Sequence, residues 1–196
     1  MKLGAVLMAS GRARRFGENK LLHPVDSVPM IERAMNALPP ELFAKAAVVS
    51  GCQPILRMAG ERGYWAVENL APEQGQSLTV RLGTSALEDM DGLLFAVCDQ
   101  PWLRRESVGR LLTAFVCEPD KICALAWNGR KGNPVIFPQA LFPELLAVTG
   151  DRGGGTVIKN HPQLLRLVDA GSPEELLDID SPADLNLKKK DRDKCV

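Results

Sequence analysis

The sequence predicts an α/β fold with a doubly wound, mostly parallel sheet. Short apolar runs recur along the 196 residues, and segments with apolar residues three and four positions apart lie between them. The runs are continuous rather than alternating, which is typical of strands that helices cover on both faces. No fixed-period repeat and no long Gly, Ser or Pro linker divides the chain, so we expect a single domain over residues 1–196.

The strands and helices are predicted from these two patterns in turn. Apolar runs predict strands at 3–9, 46–50, 64–67, 92–97, 122–127, 134–137 and 164–168. Three- and four-residue spacing predicts helices at 29–38, 54–62, 77–88, 105–116, 139–147 and 182–189. The last helix also has a start signal, because Ser181-Pro182 is a good N-cap followed by a proline at the first helical position.

Composition changes along the chain and suggests three regions. Residues 1–127 carry most of the alternating pattern, whereas residues 128–178 are richer in Gly and Pro. We expect an irregular lobe at 128–178, laid over the sheet, where a second substrate would bind. Residues 179–196 would add a strand end, the last helix and a solvated mixed-charge tail.

Charge and cysteine content exclude several classes of protein. The chain has 24 basic and 24 acidic residues, so any cationic site is local and a nucleic-acid partner is not expected. Its five cysteines and two histidines form no disulfide or zinc pattern. The first apolar run, of roughly six residues, is too short for a signal peptide or a membrane span. We therefore expect a cytoplasmic protein that does not enter a membrane.

A basic, glycine-containing loop follows the first strand, with the sequence MASGRARRFGENK at 8–20. Ligands of open parallel sheets bind at the carboxyl ends of strands, where this loop lies. Its glycines allow close backbone approach, and its arginines and Lys20 pair strongly with phosphate oxygens. The spacing matches neither the dinucleotide fingerprint nor the Walker loop. An exposed basic loop that only faces water is the alternative.

Two acidic stretches carry candidate metal ligands. Asp99 ends the apolar run of LLFAVCDQPWL, and Asp178 and Asp180 lie on one face of the extended stretch LLDIDSPADL. One or two carboxylates beside a polyphosphate are the ligands that Mg²⁺ prefers. A helix N-cap is the alternative function for Asp99.

Three glycine-containing stretches remain. In PEQGQSL, Gly75 and Ser77 precede a helix and could receive a base or phosphate, although Ser77 could also be a plain N-cap. A β-turn explains NGRKGNPVIF, and a mobile lid explains GDRGGG.

The loop at 8–20 resembles the signature of nucleotidyltransferases of the molybdenum cofactor type, Leu-Ala-Ala-Gly-x-Ser-x-Arg-[Met/Phe]-Gly-x-x-Lys. Gly11, Arg15, Gly17 and Lys20 match it, while Ser10 and Ala13 depart from it. The Asp99 stretch is similar to the family's Gly-Asp-x-Pro, with Cys98 at the glycine, and the Asp180 stretch matches its Asp-Ile-Asp-[Thr/Ser]-Pro-x-Asp. The chain is most similar to the molybdenum cofactor cytidylyltransferases.

The resemblance implies a role for each residue. Arg15 and Lys20 would grip a triphosphate and act with Asp99 in catalysis, and Asp99 and Asp180 would hold Mg²⁺. The nucleotide would lie in residues 1–127, and the acceptor would bind in residues 128–178. The nucleotide-binding residues would be Ala9, Ser10, Gly11, Arg12, Gly17, Lys20, Gly75 and Ser77, and the acceptor-binding residues would be Gly132, Asn133, Pro134, Asp151 and Arg152.

The expected reaction is transfer of CMP from CTP to a molybdopterin-type acceptor, for use by a molybdenum hydroxylase. In the family the residue before Gly11 tends to be Ala for cytidine and Gly for guanine nucleotides, so the Ser10 side chain favours the smaller base. Two alternatives stay open: a transferase that uses GTP or a sugar or polyol phosphate, and a non-catalytic carrier of the mature cofactor. An NAD-dependent oxidoreductase is disfavoured, because the dinucleotide fingerprint is absent after the first strand.

Overall fold

The computed structural model describes residues 1–11, 19–150, 153–181 and 183–184. Its strands are β1 (Leu3–Met8), β2 (Pro24–Val25), β3 (Val28–Pro29), β4 (Lys45–Ser50), β5 (Trp65–Glu68), β6 (Gly92–Val97), β7 (Ile122–Trp127), β8 (Arg130–Pro138) and β9 (Leu165–Asp169). β2 and β3 form a small separate hairpin. The other strands form one seven-stranded sheet in the order β5-β4-β1-β6-β8-β7-β9.

The α-helices are α1 (Met30–Ala37), α2 (Gln53–Glu61), α3 (Gln76–Ala86), α4 (Arg105–Cys117), α5 (Phe142–Ala147) and α6 (Gly155–Asn160). Single 3₁₀ turns occur at Lys20–Leu22, Pro40–Leu42, Pro72–Gln74, Gln139–Leu141, Pro162–Leu164 and Pro173–Leu176. The helix predicted at 182–189 lies almost entirely outside the described residues. No helix in the described ranges has the length and apolar character needed to cross a membrane.

The sheet is parallel except at one strand. β4, β5 and β6 run parallel to β1, and β9 runs parallel to β7, whereas β8 is antiparallel to both β6 and β7. The carboxyl ends of the parallel strands therefore share one edge of the sheet with the amino end of β8. This edge positions the site described below.

The helices cover both faces of the sheet, which confirms the doubly wound arrangement. Along β1, Ala5 and Leu7 point into a core that includes residues of α1, α2 and α4. The intervening Val6 points into a second core that includes residues of α3, α5 and α6. All three β1 side chains are fully buried. The central strand is therefore apolar on both faces, and its sequence is a continuous run of apolar residues.

Helix α3 packs unusually close to β1. A Cβ atom added at Gly83 would lie 2.4 Å from Cγ1 of Val6, nearer than two carbon atoms can approach. Only a glycine lets α3 lie this near the central strand. The close packing also fixes the amino end of α3 beside the carboxyl end of β1.

Residues 128–178, predicted as an irregular lobe, contain much regular structure. They hold β8, α5, α6 and β9, and both strands are part of the seven-stranded sheet. β8 also begins at Arg130, earlier than the predicted 134, because its polar amino end pairs with β7 after a two-residue turn. Trp65 is 53% exposed because it lies in β5, an edge strand.

Candidate functional site

A cavity of about 490 Å³ opens at the carboxyl ends of β1 and β6. Its walls come from the ends of these two strands, from the turn that carries Lys20, and from the start of α3. The lining residues are Met8, Ser10, Gly11, Lys20, Leu21, Pro72, Glu73, Gly75, Gln76, Thr79, Val97, Cys98 and Asp99. The location agrees with the rule that ligands of open α/β sheets bind beyond the carboxyl ends of strands.

Lys20 joins three distant parts of the chain. Its Nζ donates to Asp99 Oδ2 at 2.7 Å, to the Ile179 carbonyl at 3.0 Å and to Asp180 Oδ1 at 3.2 Å. Burial of the side chain lowers its pKa, but the hydrogen bonds and charges of Asp99 and then Asp180 outweigh this effect and raise it. Lys20 is therefore a fixed positive charge at the edge of the cavity.

Asp99 has one carboxylate oxygen in a hydrogen bond and one without a partner in the described part of the chain. Oδ2 binds Lys20, whereas Oδ1 is buried and has no hydrogen-bond partner among the described residues. A buried carboxylate oxygen normally has a partner, so the negative charge of Asp99 is only partly satisfied by Lys20, which suits a carboxylate that takes up a cation. The backbone of Asp99 is itself engaged, since its carbonyl accepts from Ile179 N at 2.9 Å.

Asp180 reaches the site on an extended segment outside the sheet. Asp184 Oδ2 accepts hydrogen bonds from the backbone N–H groups of Asp180 and Ser181 and from the Ser181 hydroxyl, at 2.7–3.0 Å. The two Ser181 contacts in particular lower the pKa of Asp184. The Asp180 side chain is 67% exposed and contacts Lys20. Asp184 therefore holds the backbone at the point where Asp180 faces the ammonium group.

Asp178 has a different environment. Gln100 Nε2 donates to its Oδ1 at 2.9 Å, and no bond to Lys20 is present. Burial and the negative charge of Asp99 raise its pKa. Of the two aspartates on this extended segment, only Asp180 meets Lys20.

The backbone after β1 is tied to β4. Ala9 N donates to the Val49 carbonyl at 2.9 Å, and the Ala9 carbonyl accepts from the Ser50 hydroxyl at 2.9 Å. The Ser10 hydroxyl donates to the same Val49 carbonyl at 3.1 Å, while Ser10 and Gly11 line the cavity. Of the residues predicted for this loop, Arg12, Arg15 and Gly17 lie outside the described residues.

The start of α3 supplies the opposite wall of the cavity. Gly75 is the N-cap residue, with a φ of +83° that favours glycine, and it lines the cavity together with Gln76. Ser77 is 1% exposed, and its hydroxyl donates to the Gln74 carbonyl at 3.4 Å. The structure thus brings Gly75 but not the Ser77 hydroxyl to the cavity. The alternative that Ser77 is the N-cap is wrong, because Gly75 has that position.

A second cavity, of about 190 Å³, adjoins the first and shares Met8 and Gln76 with it. Lys131 and Asn133, from the start of β8, give it a polar side. The remaining lining is mostly apolar and consists of Val80, Phe95, Val135, Phe137, Gly154, Gly155 and Ile158. Among the other residues predicted to bind the acceptor, Gly132 packs against Leu176, Pro134 is buried, and Asp151 and Arg152 lie outside the described residues.

Sequence reasoning missed two polar residues of this region. Gln100, 3% exposed, binds the segment that carries Asp180. The Glu175 carboxylate accepts from Arg104 N at 3.0 Å. Glu175 is fully buried. In the sequence, both are polar residues beside a strand end or a turn. Such positions are too common to identify a functional residue.

The donor set suits a metal ion that is shared with a substrate. In the described part of the chain, no group of three or more His, Cys, Asp or Glu side chains forms a metal site made by protein alone. Asp99 and Asp180 contact the same ammonium group, so two carboxylates face one small volume. Mg²⁺ typically takes one or two carboxylates and completes its shell with water and phosphate, which these two residues fit.

Comparison with known families gives a match over most of the chain. Residues 5–165 match the MobA-like NTP transferase domain. The match begins in β1 and ends at the first residue of β9, and it therefore includes Lys20, Asp99 and the second cavity.

Curated relatives carry different functional names. A protein of Paenarthrobacter nicotinovorans named nicotine blue oxidoreductase is 26% identical, covering 90% of this chain and 91% of its own length. A molybdenum cofactor guanylyltransferase of Shewanella loihica is 33% identical, covering 69% of this chain and 68% of its own length.

Solved structures share the whole fold. A nucleotidyl transferase from Methanothermobacter superposes with a TM-score of 0.80 at 23% identity, covering 97% of each chain. A Mycobacterium tuberculosis protein solved in complex with manganese superposes with a TM-score of 0.76 at 20% identity, covering 94% of this chain and 96% of its own.

Proposed function

Because this chain belongs to the family of MobA-like NTP transferase domains and is a nucleotidyltransferase, we propose that it transfers CMP from CTP to a molybdopterin-type acceptor. An oxygen of the acceptor's terminal phosphate attacks the α-phosphorus, and the bond from this phosphorus to the bridging oxygen of the β-phosphate breaks. Pyrophosphate leaves, and the product would serve a molybdenum hydroxylase. The observation that carries the proposal is the meeting of Lys20, Asp99 and Asp180 at the cavity.

Each of these residues has a task in such a transfer. Phosphoryl chemistry needs two polyanions held in line and charge neutralised, and it needs no covalent protein nucleophile. Lys20 would bind the triphosphate with Arg15, while Asp99 and Asp180 would hold Mg²⁺. When bound, Mg²⁺ supplies Lewis-acid polarisation of the phosphate oxygens. The backbone N–H groups of residues 10–17 and the amino end of α3 would cradle the phosphates and the base.

The second cavity is proposed as the acceptor site. It adjoins the nucleotide cavity at Met8 and Gln76, so a molecule held there can present a phosphate toward the α-phosphorus. Its apolar floor suits a flat heterocycle, and Lys131 and Asn133 supply a charge and an amide for the polar groups of that ring or its phosphate.

A second candidate donor is GTP. The Shewanella loihica relative is named a guanylyltransferase, which favours a guanine nucleotide for this chain as well. The Ser10 side chain supports CTP instead, because it occupies part of the cavity wall that a larger base would need.

The test is pyrophosphate release from CTP, GTP, UTP and ATP, each with Mg²⁺ and with a molybdopterin acceptor, a sugar phosphate or a polyol phosphate. We expect release with CTP and molybdopterin. Release with another pair would replace the proposed substrates, and acceptor binding without any release would identify a carrier. A parallel measurement of NADH and NADPH oxidation covers the reaction class named for the Paenarthrobacter relative.

Ser10 provides a prediction about base choice. The variant Ser10→Gly removes a side chain that lines the cavity and donates to the Val49 carbonyl. We expect its preference for CTP over GTP, measured as a ratio of kcat/KM values, to fall by about 10-fold, since one small group in a pocket changes discrimination by roughly 10–200-fold. The matched control is Ser27→Gly, in the turn of the β2–β3 hairpin, which should keep the wild-type ratio. An unchanged ratio in Ser10→Gly would remove this residue from base selection.

Lys131 and Asn133 provide a prediction about acceptor binding. We expect Lys131→Ala and Asn133→Ala each to raise the KM for the acceptor by about 10-fold, since a hydrogen bond to a charged group contributes roughly 1.5–3 kcal/mol. The KM for CTP should stay at its wild-type value. Lys121→Ala is the control, because Lys121 lies at the far end of β7 and donates to the Gln163 carbonyl. A rise in the KM for CTP instead would place the nucleotide in the second cavity.

A further inference from the structure

The segment that carries Asp180, residues 175–180, is held by no strand pairing and no α-helix within the described residues. Residues 177–180 follow a single 3₁₀ turn and are extended without strand pairing. Their one backbone bond to the sheet region is from Ile179 N to the Asp99 carbonyl, at 2.9 Å. Ile179 is also fully buried in a small cluster with Val25, Met30 and Trp102. Lys20 and Asp184 also bind the far end of the segment, at Ile179, Asp180 and Ser181, so its near end, residues 175–178, depends on other contacts.

Gln100 grips this segment at two points. Its Nε2 donates to the Leu176 carbonyl at 3.2 Å and to Asp178 Oδ1 at 2.9 Å, so both amide hydrogens go to the segment. The side chain is 3% exposed, and its Oε1 has no hydrogen-bond partner within the described ranges. A buried amide with an unsatisfied oxygen destabilises the fold unless its other bonds offset the loss. The side-chain hydrogen bonds that Gln100 forms with the described residues therefore all go to this segment.

Glu175 anchors the start of the same segment. It is fully buried, and its Oε2 accepts from the backbone N–H of Arg104, the N-cap residue of α4. Its other oxygen lies 4.0 Å from the Arg104 guanidinium and has no hydrogen bond in the described part of the chain. The positive end of the α4 dipole favours a carboxylate here. The segment is thus tied to α4 at one end and to the end of β6 at the other.

We propose that Gln100 and Glu175 are positioning residues that hold Asp180 against Lys20, which also contacts Asp99. Gln100 directly follows Asp99, so the residue that grips the segment moves with the first carboxylate of the pair. The two residues form no bond to the cavity themselves and act through Asp180. This inference rests on the proposed function, because it assigns Asp180 the role of a metal ligand there.

The test compares Gln100→Met, Asp180→Asn and the double variant. Met is close to Gln in length and has no amide hydrogens. We expect Gln100→Met to weaken Mn²⁺ binding to the protein–CTP complex, read by the electron paramagnetic resonance of free Mn²⁺, by about 10–100-fold, as is typical when a partner of a metal ligand is removed. In the Asp180→Asn background, the same change should alter Mn²⁺ affinity by less than about twofold, because coupled residues are not additive.

Tyr64→Phe is the matched control for a lost buried hydrogen-bond donor. The Tyr64 hydroxyl reaches the carbonyls of Met35 and Leu38, at the end of α1 and far from the segment. It should lower the melting temperature and leave Mn²⁺ affinity unchanged. At the other anchor, Glu175→Gln keeps an oxygen for Arg104 N and should retain most of the Mn²⁺ affinity that Glu175→Leu loses.

The outcomes separate this inference from the proposed function. If wild-type protein releases no pyrophosphate but Mn²⁺ affinity follows the expected pattern, the proposed reaction fails and the positioning role stands. If wild-type protein is active and the effects of Gln100→Met and Asp180→Asn on Mn²⁺ affinity are additive, the positioning role is wrong. Should Gln100→Met fail to fold, the Glu175→Gln and Glu175→Leu pair supplies the same decision.

Discussion

Replacing Lys20 by Ala is expected to lower kcat for pyrophosphate release by about 10²–10³-fold, the usual loss when one preorganised electrostatic group is removed from an active site. Lys20 is the single cation seen to contact both Asp99 and Asp180 among the described residues. Without it, two carboxylates face each other and the triphosphate loses a charge partner. The measurement is steady-state pyrophosphate release with saturating CTP and acceptor.

The control for Lys20→Ala is Lys45→Ala. Lys45 forms an exposed ion pair with Asp89 at the amino end of β4, at the opposite edge of the sheet from the cavity. Such surface pairs contribute roughly 0–1 kcal/mol to stability, so the control should keep full activity. Full turnover by a folded Lys20→Ala protein would contradict the role given to Lys20.

Replacing Gly83 by Ala is expected to destabilise the fold by about 1–3 kcal/mol, the usual result of adding a methyl group to a packed core. The new Cβ would lie 2.4 Å from Val6 Cγ1, and Val6 is fully buried in the central strand, where it has no room to move. Helix α3 must then shift outward or β1 must bend. The free energy of unfolding, measured in urea, gives the effect.

Gly109→Ala is the matched variant, because Gly109 also lies within a helix, α4. A Cβ at Gly109 would meet no atom within 4 Å. Ala in place of Gly inside a helix is favourable by roughly 0.5–1 kcal/mol, so this variant should be more stable than the wild type. Equal stability of the two alanine variants would show that α3 can relax away from β1.

Much of the fold could be predicted because buried parallel strands leave a strong pattern. The apolar runs at 92–97 and 122–127 coincide with β6 and β7, and the others agree to within a few residues. The direction of β8 could not be predicted, because an apolar run looks the same in either direction. The regular structure within 128–178 was obscured by Gly and Pro residues that lie in its turns.

The meeting of Lys20 with Asp99 could also be predicted, since strand ends and the loops after them share one edge of a parallel sheet. The place of Asp180 beside them is implied by the resemblance alone, because Asp180 lies on an extended segment outside the sheet. The chemical roles of these residues remain predictions. The contribution of Gln100 could not be predicted, because its partners lie 76 and 78 residues further along the chain. Short-range patterns carry no information about such pairs. The same holds for Glu175, whose partner Arg104 is 71 residues away.

The reversed direction of β8 has a consequence for how the family can diversify. The short turn between β7 and β8 lies at the functional edge, so Lys131 and Asn133 enter the second cavity within a few residues of it. Insertions or substitutions in this turn would reshape the second cavity while the buried half of β8, from Val135 to Pro138, stays paired with β6. Under the proposed function, a change of acceptor would then leave the nucleotide side of the site unchanged.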